Sequence, residues 1–156
     1  MLSQKIPLKI LQSNNEKALE NSALHGYLEK VKSLVENGVD IHAKNDLAVR
    51  YAAANGHLEV VKYLVEKGAD IHAIDDFALT WSAHRGHYDI VKFLIENGAN
   101  IHVKNDNALY LSIANGHIDV VKLLVANGAS ICDVALEDVS ILNGHPSVVE
   151  YLKSIK

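Results

Sequence analysis

Apolar residues along the middle of the chain alternate between two patterns. Leu58 to Lys67 reads LEVVKYLVEK. Val60, Val61, Leu64 and Val65 share one stripe at helical spacing, while Glu59, Lys62, Glu66 and Lys67 lie away from it. This predicts an amphipathic helix, called helix B. Lys62 and Glu66 are spaced to pair along its surface. The preceding segment, Leu47 to Asn55, is short and rich in alanine. Small side chains let a neighbouring helix approach closely, so it is read as a helix A. Asp46 stands just before helix A, where a carboxylate is expected to cap the first amides and favour the helix dipole. Gly56 and Gly68 stand just after the two helices, where a left-handed residue terminates a helix. Ala69-Asp70-Ile71-His72-Ala73 then leads to the next helix A, expected as an extended turn.

This unit repeats. Gly26, Gly56, Gly86 and Gly116 are thirty residues apart, as are Gly38, Gly68, Gly98 and Gly128; Gly144 continues the first series two residues early. Residues 39–68, 69–98 and 99–128 are in register, with Ile41, Ile71 and Ile101, His42, His72 and His102, and Asp46, Asp76 and Asp106 at matching places. A period of this size marks a stack of small units, none of which buries its apolar face alone. The ends are degenerate, as terminal units are expected to be. Residues 16–38 form a pair with a polar first helix, opened by a capping box at Ser13 and Glu16. Residues 129–156 hold a last pair over 135–143 and 146–155, with Pro146 in the first turn of the second helix. Residues 1–15 are a capping segment, with a short helix or turn over Met1 to Gln12 limited by Pro7. The predicted fold is an all-α solenoid of about five stacked helix pairs joined by short turns.

Charge and composition narrow the function. The net charge of -4 lacks the concentrated basic face of a nucleic-acid binder, and Lys and Arg are spread among Glu and Asp. One cysteine, Cys132, cannot form an internal disulfide. No apolar run approaches a membrane span, and the first residues do not read as a signal peptide. A cytoplasmic monomer without nucleic-acid or membrane partners is expected.

The wording Gly-His-x-x-Val-Val-x-x-Leu-Val/Ile-x-x-Gly-Ala-Asp is legible in His57–Asp70, His87–Asn100 and His117–Ser130, and more loosely in Tyr27–Asp40. These residues resemble the second-helix signature of ankyrin repeats, from about residue 16 to 155. Two departures stand out. Ankyrin units usually run about 33 residues, and the shortfall here lies in the β-turn finger, between Ala43 and Leu47 and their equivalents. The Thr-Pro-Leu-His element is replaced by Leu47-Ala48-Val49-Arg50, Phe77-Ala78-Leu79-Thr80 and Asn107-Ala108-Leu109-Tyr110. The shortened style, with Asp40-Ile41-His42-Ala43-Lys44-Asn45-Asp46, is similar to the ankyrin sets of giant DNA viruses, which would place the protein in a host cytoplasm. The resemblance implies protein–protein recognition without chemistry, through a concave face made by finger tips and helix A. With the fingers trimmed, reading is expected to move onto helix A. The alternative it implies is an inhibitor or regulatory subunit that occludes a partner enzyme.

Positions that differ between repeats mark where a partner would be read. They include Leu47 and Phe77, then Arg50, Thr80 and Tyr110, then Trp81, and then His84 and Arg85. Arg, Tyr and Trp are frequent interface hot spots. Trp81 is also expected to pack between repeats. Asp46, Asp76 and Asp106 are candidate partner contacts as well as caps. The ladder of His42, His72 and His102 is expected to hold the turns together, since neighbouring rungs about 8–10 Å apart cannot share one metal ion. His57, His87, His117 and His145 are expected to do the same in the inter-helix loops. The charges of helix B (Glu59, Lys62, Asp89, Lys92, Asp119 and Lys122) read as a solvated face, and Cys132 as a small packed residue. No phosphate loop, zinc motif or nucleophile–base arrangement is present, so no enzyme activity, metal or cofactor is expected.

Overall fold

The computed structural model describes residues 8–130 and 145–155. The chain divides into two compact units, Met1–Asp70 and Ile71–Lys156. The first holds α1 (Leu8–Leu24), α2 (Leu28–Glu36), α3 (Ala43–Ala54) and α4 (Leu58–Glu66). Helix A of one pair packs on helix A of the next (α1 on α3), and α2 packs on α4 in the same way. The second holds α5 (Ala73–His84), α6 (Tyr88–Glu96), α7 (Asn107–Ala114), α8 (Ile118–Ala126) and α9 (Pro146–Ser154). Here α5 packs on α7, and α6 and α9 each pack on α8. Among the described residues the secondary structure is entirely helix and turn. Over its described residues each unit is therefore an all-α stack of packed helices.

The core is the predicted one. Val60, Val61 and Leu64 are buried, as are Ile90, Val91 and Leu94, and Val120, Val121 and Leu124. Ala48, Ala52 and Ala53 on α3, and Ala78 and Ala83 on α5, are buried as well. Gly68 sits at φ 97. Its amide donates to Val65 O at 2.9 Å and the Ala69 amide donates to Leu64 O at 2.9 Å, the paired bonds of a Schellman cap. Pro146 occupies the first turn of α9, where its missing amide costs nothing.

Several local expectations differ. α1 is continuous from Leu8, so residues 8–15 belong to the first helix. Ser13 and Glu16 lie in its interior, where no cap is needed. His72 has φ -86 and ψ -5, which is helical rather than extended. Lys62 pairs with Glu59 at 2.9 Å, one turn back, rather than with Glu66. Lys32 repeats that choice with Glu29 at 2.8 Å, and this hydrogen bond is the main reason its ammonium holds its proton above the usual range. The helix expected over 135–143, with Cys132 and Gly144, lies outside the described residues, as does Pro7.

Candidate partner-binding face

The trimmed finger is a turn of left-handed backbone. Lys44, Asn45 and Asp46 have φ of 54, 57 and 55. Ile74, Asp75 and Asp76 repeat this at 55, 54 and 49, and Lys104, Asn105 and Asp106 at 51, 57 and 57. Non-glycine residues rarely enter this region, and Asn and Asp do so most readily. The aspartate that closes the turn is consequently not a cap. An N-cap residue needs a β-region backbone to aim its side chain at the first amides. Asp106, at φ 57 and ψ 37, makes no side-chain cap bond.

The carboxylates instead tie one repeat to the next. Asp46 Oδ1 accepts from His42 Nδ1 at 2.9 Å and from the Asp70 amide at 2.9 Å. Asp76 Oδ1 accepts from His72 Nδ1 at 2.9 Å and from the Asn100 amide at 2.9 Å. Asp106 holds His102 at 2.8 Å, while its other oxygen takes the Ser130 amide at a looser 3.3 Å. The amide in each case belongs to the following turn. Asp46 and Asp76 are 6% and 4% exposed, so their carboxylates serve the turns and are not on a reading surface. The histidine ladder has the structural part expected of it, acting through the aspartates.

Arg50 also turns inward. It is buried. Its Nε donates to Asn45 O and its Nη2 to Lys44 O, both at 2.8 Å. The left-handed turn leaves these carbonyls without a helical partner, and the guanidinium satisfies them. Unlike Thr80 and Tyr110 at the matching places, Arg50 is bonded to the turn of its own repeat.

The other variable positions form a surface. On α5, Phe77, Trp81 and His84 follow one another at helical spacing. The Phe77 and Trp81 rings stack with centroids 5.5 Å apart, and His84 meets Trp81 edge-on at 5.1 Å. Trp81 remains 36% exposed and Tyr110, on the adjoining α7, 38%. Trp81 thus packs against its own helix neighbours and still faces solvent. Phe77, Thr80 and His84 are half-buried, and Arg85 is exposed at the end of the helix. Leu47, in the first unit, is half-buried.

The inter-helix histidines fix the spacing of the helix A row. His57 Nε2 bonds Leu24 O at 2.9 Å, His117 Nε2 bonds His84 O at 2.9 Å, and His145 Nε2 bonds Ala114 O at 3.1 Å. Each ring lies over a glycine one repeat earlier. A Cβ on Gly26, Gly86 or Gly116 would overlap His57, His117 or His145. These glycines are therefore required twice, for positive φ and for close approach.

Two features escaped the sequence reading. Asn115, the C-cap of α7, donates to His84 Nδ1 at 3.0 Å, which orients the imidazole at the edge of the aromatic row. On the helix B side, a cleft of about 580 Å³ is lined by Tyr88, Asp119, Lys122, Leu123 and Ala126. Its one signal was Ala126, which stands where Glu66 and Glu96 stand in earlier repeats. Among the described residues no three His, Cys, Asp or Glu side chains converge to hold a metal. No helix among them is long and apolar enough to cross a membrane.

The family model for ankyrin repeats (3 copies) matches residues 2–75 and, again, 50–135. No curated protein matches the chain.

Proposed function

Since the chain belongs to the ankyrin-repeat family, whose repeats act as protein–protein interaction modules, we propose that it binds a protein partner through the helix A face of its second unit. The observation that carries this reading is the aromatic row Phe77, Trp81 and His84 beside Tyr110, with Trp81 and Tyr110 partly open to solvent. Large, stiff aromatic side chains supply contact area at low entropic cost, and Trp and Tyr lead the hot-spot residues of interfaces. The row stands on helices, so little ordering is required on binding. Thr80 and Arg85 border it and set the polar rim. Leu47 is the matching position on the first unit.

The function is recognition rather than catalysis, in a protein acting as a monomer in the cytoplasm. Occlusion of a partner enzyme is the second form this function takes.

Affinity capture from native cells, with mass spectrometry, identifies the partner. Binding is then compared for the native chain and Trp81→Ala and Tyr110→Ala variants. Each is expected to weaken binding by about tenfold or more, at roughly 1.4 kcal/mol per decade, with circular dichroism unchanged. Unchanged affinity in both variants removes the face. An activity assay of the captured partner separates an inhibitor from an adaptor.

A further inference from the structure

Six of the nine glycines follow an asparagine. Five of these pairs lie among the described residues, with Asn37, Asn55, Asn97, Asn115 and Asn127 at the C-caps of α2, α3, α6, α7 and α8. An Asn-Gly pair is chemically special. Glycine has no side chain to shield its backbone nitrogen or restrict its dihedrals. That nitrogen attacks Asn Cγ; the new N–Cγ bond forms, the Cγ–Nδ2 bond breaks, and Nδ2 leaves as ammonia with the proton shed by the glycine amide. Water then opens the cyclic imide at either carbonyl, giving Asp or isoaspartate. Nothing is oxidised or reduced, and solvent is the only co-reactant.

The helix ends hold both reacting groups in hydrogen bonds. Nδ2 of Asn37, Asn55, Asn97, Asn115 and Asn127 donates to the carbonyl four residues back, at 2.6, 2.8, 2.8, 2.8 and 2.8 Å. This turns Cγ towards the helix it has just left. The nucleophile is occupied too. The amides of Gly38, Gly98, Gly116 and Gly128 donate to the carbonyls of Val35, Ile95, Ile113 and Val125 at 2.9, 3.0, 3.1 and 3.0 Å, and that of Gly56 to Ala53 at 3.4 Å.

We infer that these five pairs are latent modification sites, inert while the helix end is closed and converted to Asp or isoaspartate when it opens. Conversion is self-reinforcing. A carboxylate at a helix C-terminus meets the negative end of the dipole and no longer donates to the carbonyl. Isoaspartate also inserts a backbone methylene, which breaks the Schellman geometry. The repeats therefore carry a one-way record of local opening. The rates are ordered by restraint. Asn115 donates to His84 as well as to Leu111 O, so it is slower than Asn97 and Asn127.

The test is peptide mapping by mass spectrometry of the full chain aged at physiological temperature, in buffer and in concentrated urea. Each site is expected to convert about tenfold or more slowly in buffer, because reaction waits on local opening. His84→Ala should speed Asn115 about 2–10-fold, the effect of one hydrogen bond, with Asn97 and Asn127 unchanged as controls in the same digest. Equal rates in buffer and urea overturn protection by the fold. No conversion in urea overturns the sites themselves. An Asn115 rate indifferent to His84→Ala overturns the ordering by side-chain restraint.

Discussion

Replacing Asp76 tests whether the turn aspartates are inter-repeat ties. In the native chain one carboxylate oxygen accepts from His72 and from the Asn100 amide, both at 2.9 Å, in a site where Asp76 is 4% exposed. A hydrogen bond to a charged group contributes about 1.5–3 kcal/mol, and an orphaned buried donor costs about 1–3. The His72 side chain is 53% exposed, so water replaces much of its share. Asp76→Ala is therefore expected to cost about 2–4 kcal/mol, chiefly the lost hydrogen bonds to its buried carboxylate. At about 2–4 °C per kcal/mol for a chain of this size, the thermal midpoint should fall by about 4–16 °C. Asp76→Asn keeps an oxygen in place and should lose roughly half as much, the charge being gone. Asp76→Ser decides between a tie and a cap. Serine is a good cap, but its hydroxyl is too short to span both donors, so it should resemble alanine. Asp106→Ala should cost only about 1 kcal/mol, since its amide contact is 3.3 Å and its side chain more open. Thermal melts by circular dichroism read all four variants. Native stability in the serine variant, or equal losses at Asp76 and Asp106, would refute the reasoning.

Three further sets of substitutions probe the turn, the glycine row and the helix B side. Ile74 is a β-branched residue at φ 55 and 47% exposed, so Ile74→Asn should be more stable than Ile74→Thr by about 1 kcal/mol in urea melts, both having lost the same packing. Gly26→Ala meets the His57 ring as well as positive φ, whereas Gly38→Ala meets only the backbone term. The first should be the more damaging, and adding His57→Ala should recover about 1 kcal/mol of it in a double-mutant cycle. The buried Tyr63 hydroxyl has no hydrogen-bond partner among the described residues, so Tyr63→Phe should match or exceed native stability, and a loss above about 1 kcal/mol would reveal a partner.

The parts of the fold that rest on short-range physics were legible. Val60, Val61 and Leu64 announce helix B through spacing, and Gly56 and Gly68 announce the helix ends because little else tolerates their φ. The trimmed finger was legible as an omission, but its replacement was not. Lys44, Ile74 and Lys104 have no preference for left-handed backbone; the available signal was the Asn45-Asp46, Asp75-Asp76 and Asn105-Asp106 pairs. The Asp46 amide partner lies 24 residues on, and the His57 carbonyl partner 33 residues back. No local pattern encodes such distances, so a cap was the nearest reading. Arg50 misled for a related reason. Variation between repeats marks a surface only where the side chain reaches solvent, and Arg50 varies while satisfying two carbonyls beneath it.

Shortening the finger has a physical consequence within each unit. A projecting hairpin would present side chains at the end of a lever, and its ordering would be charged against binding. The left-handed turn is shorter: it exposes the side chains of its first two residues, as at Ile74 and Asp75, and withdraws the aspartate that closes it. Its carboxylate is spent on the following turn, and in the first unit its carbonyls are spent on Arg50. The inter-helix histidines pin the other end of the helix A row to the preceding repeat. With both ends of α7 tied in this way, and its Asn115 fixing the His84 ring on α5, the side chains between them have fixed bases. Trp81 and Tyr110 are helix-borne and partly open to solvent. Under the proposed reading, a partner would bring a surface to these helices and fit the row of aromatic rings, rather than capture it with loops.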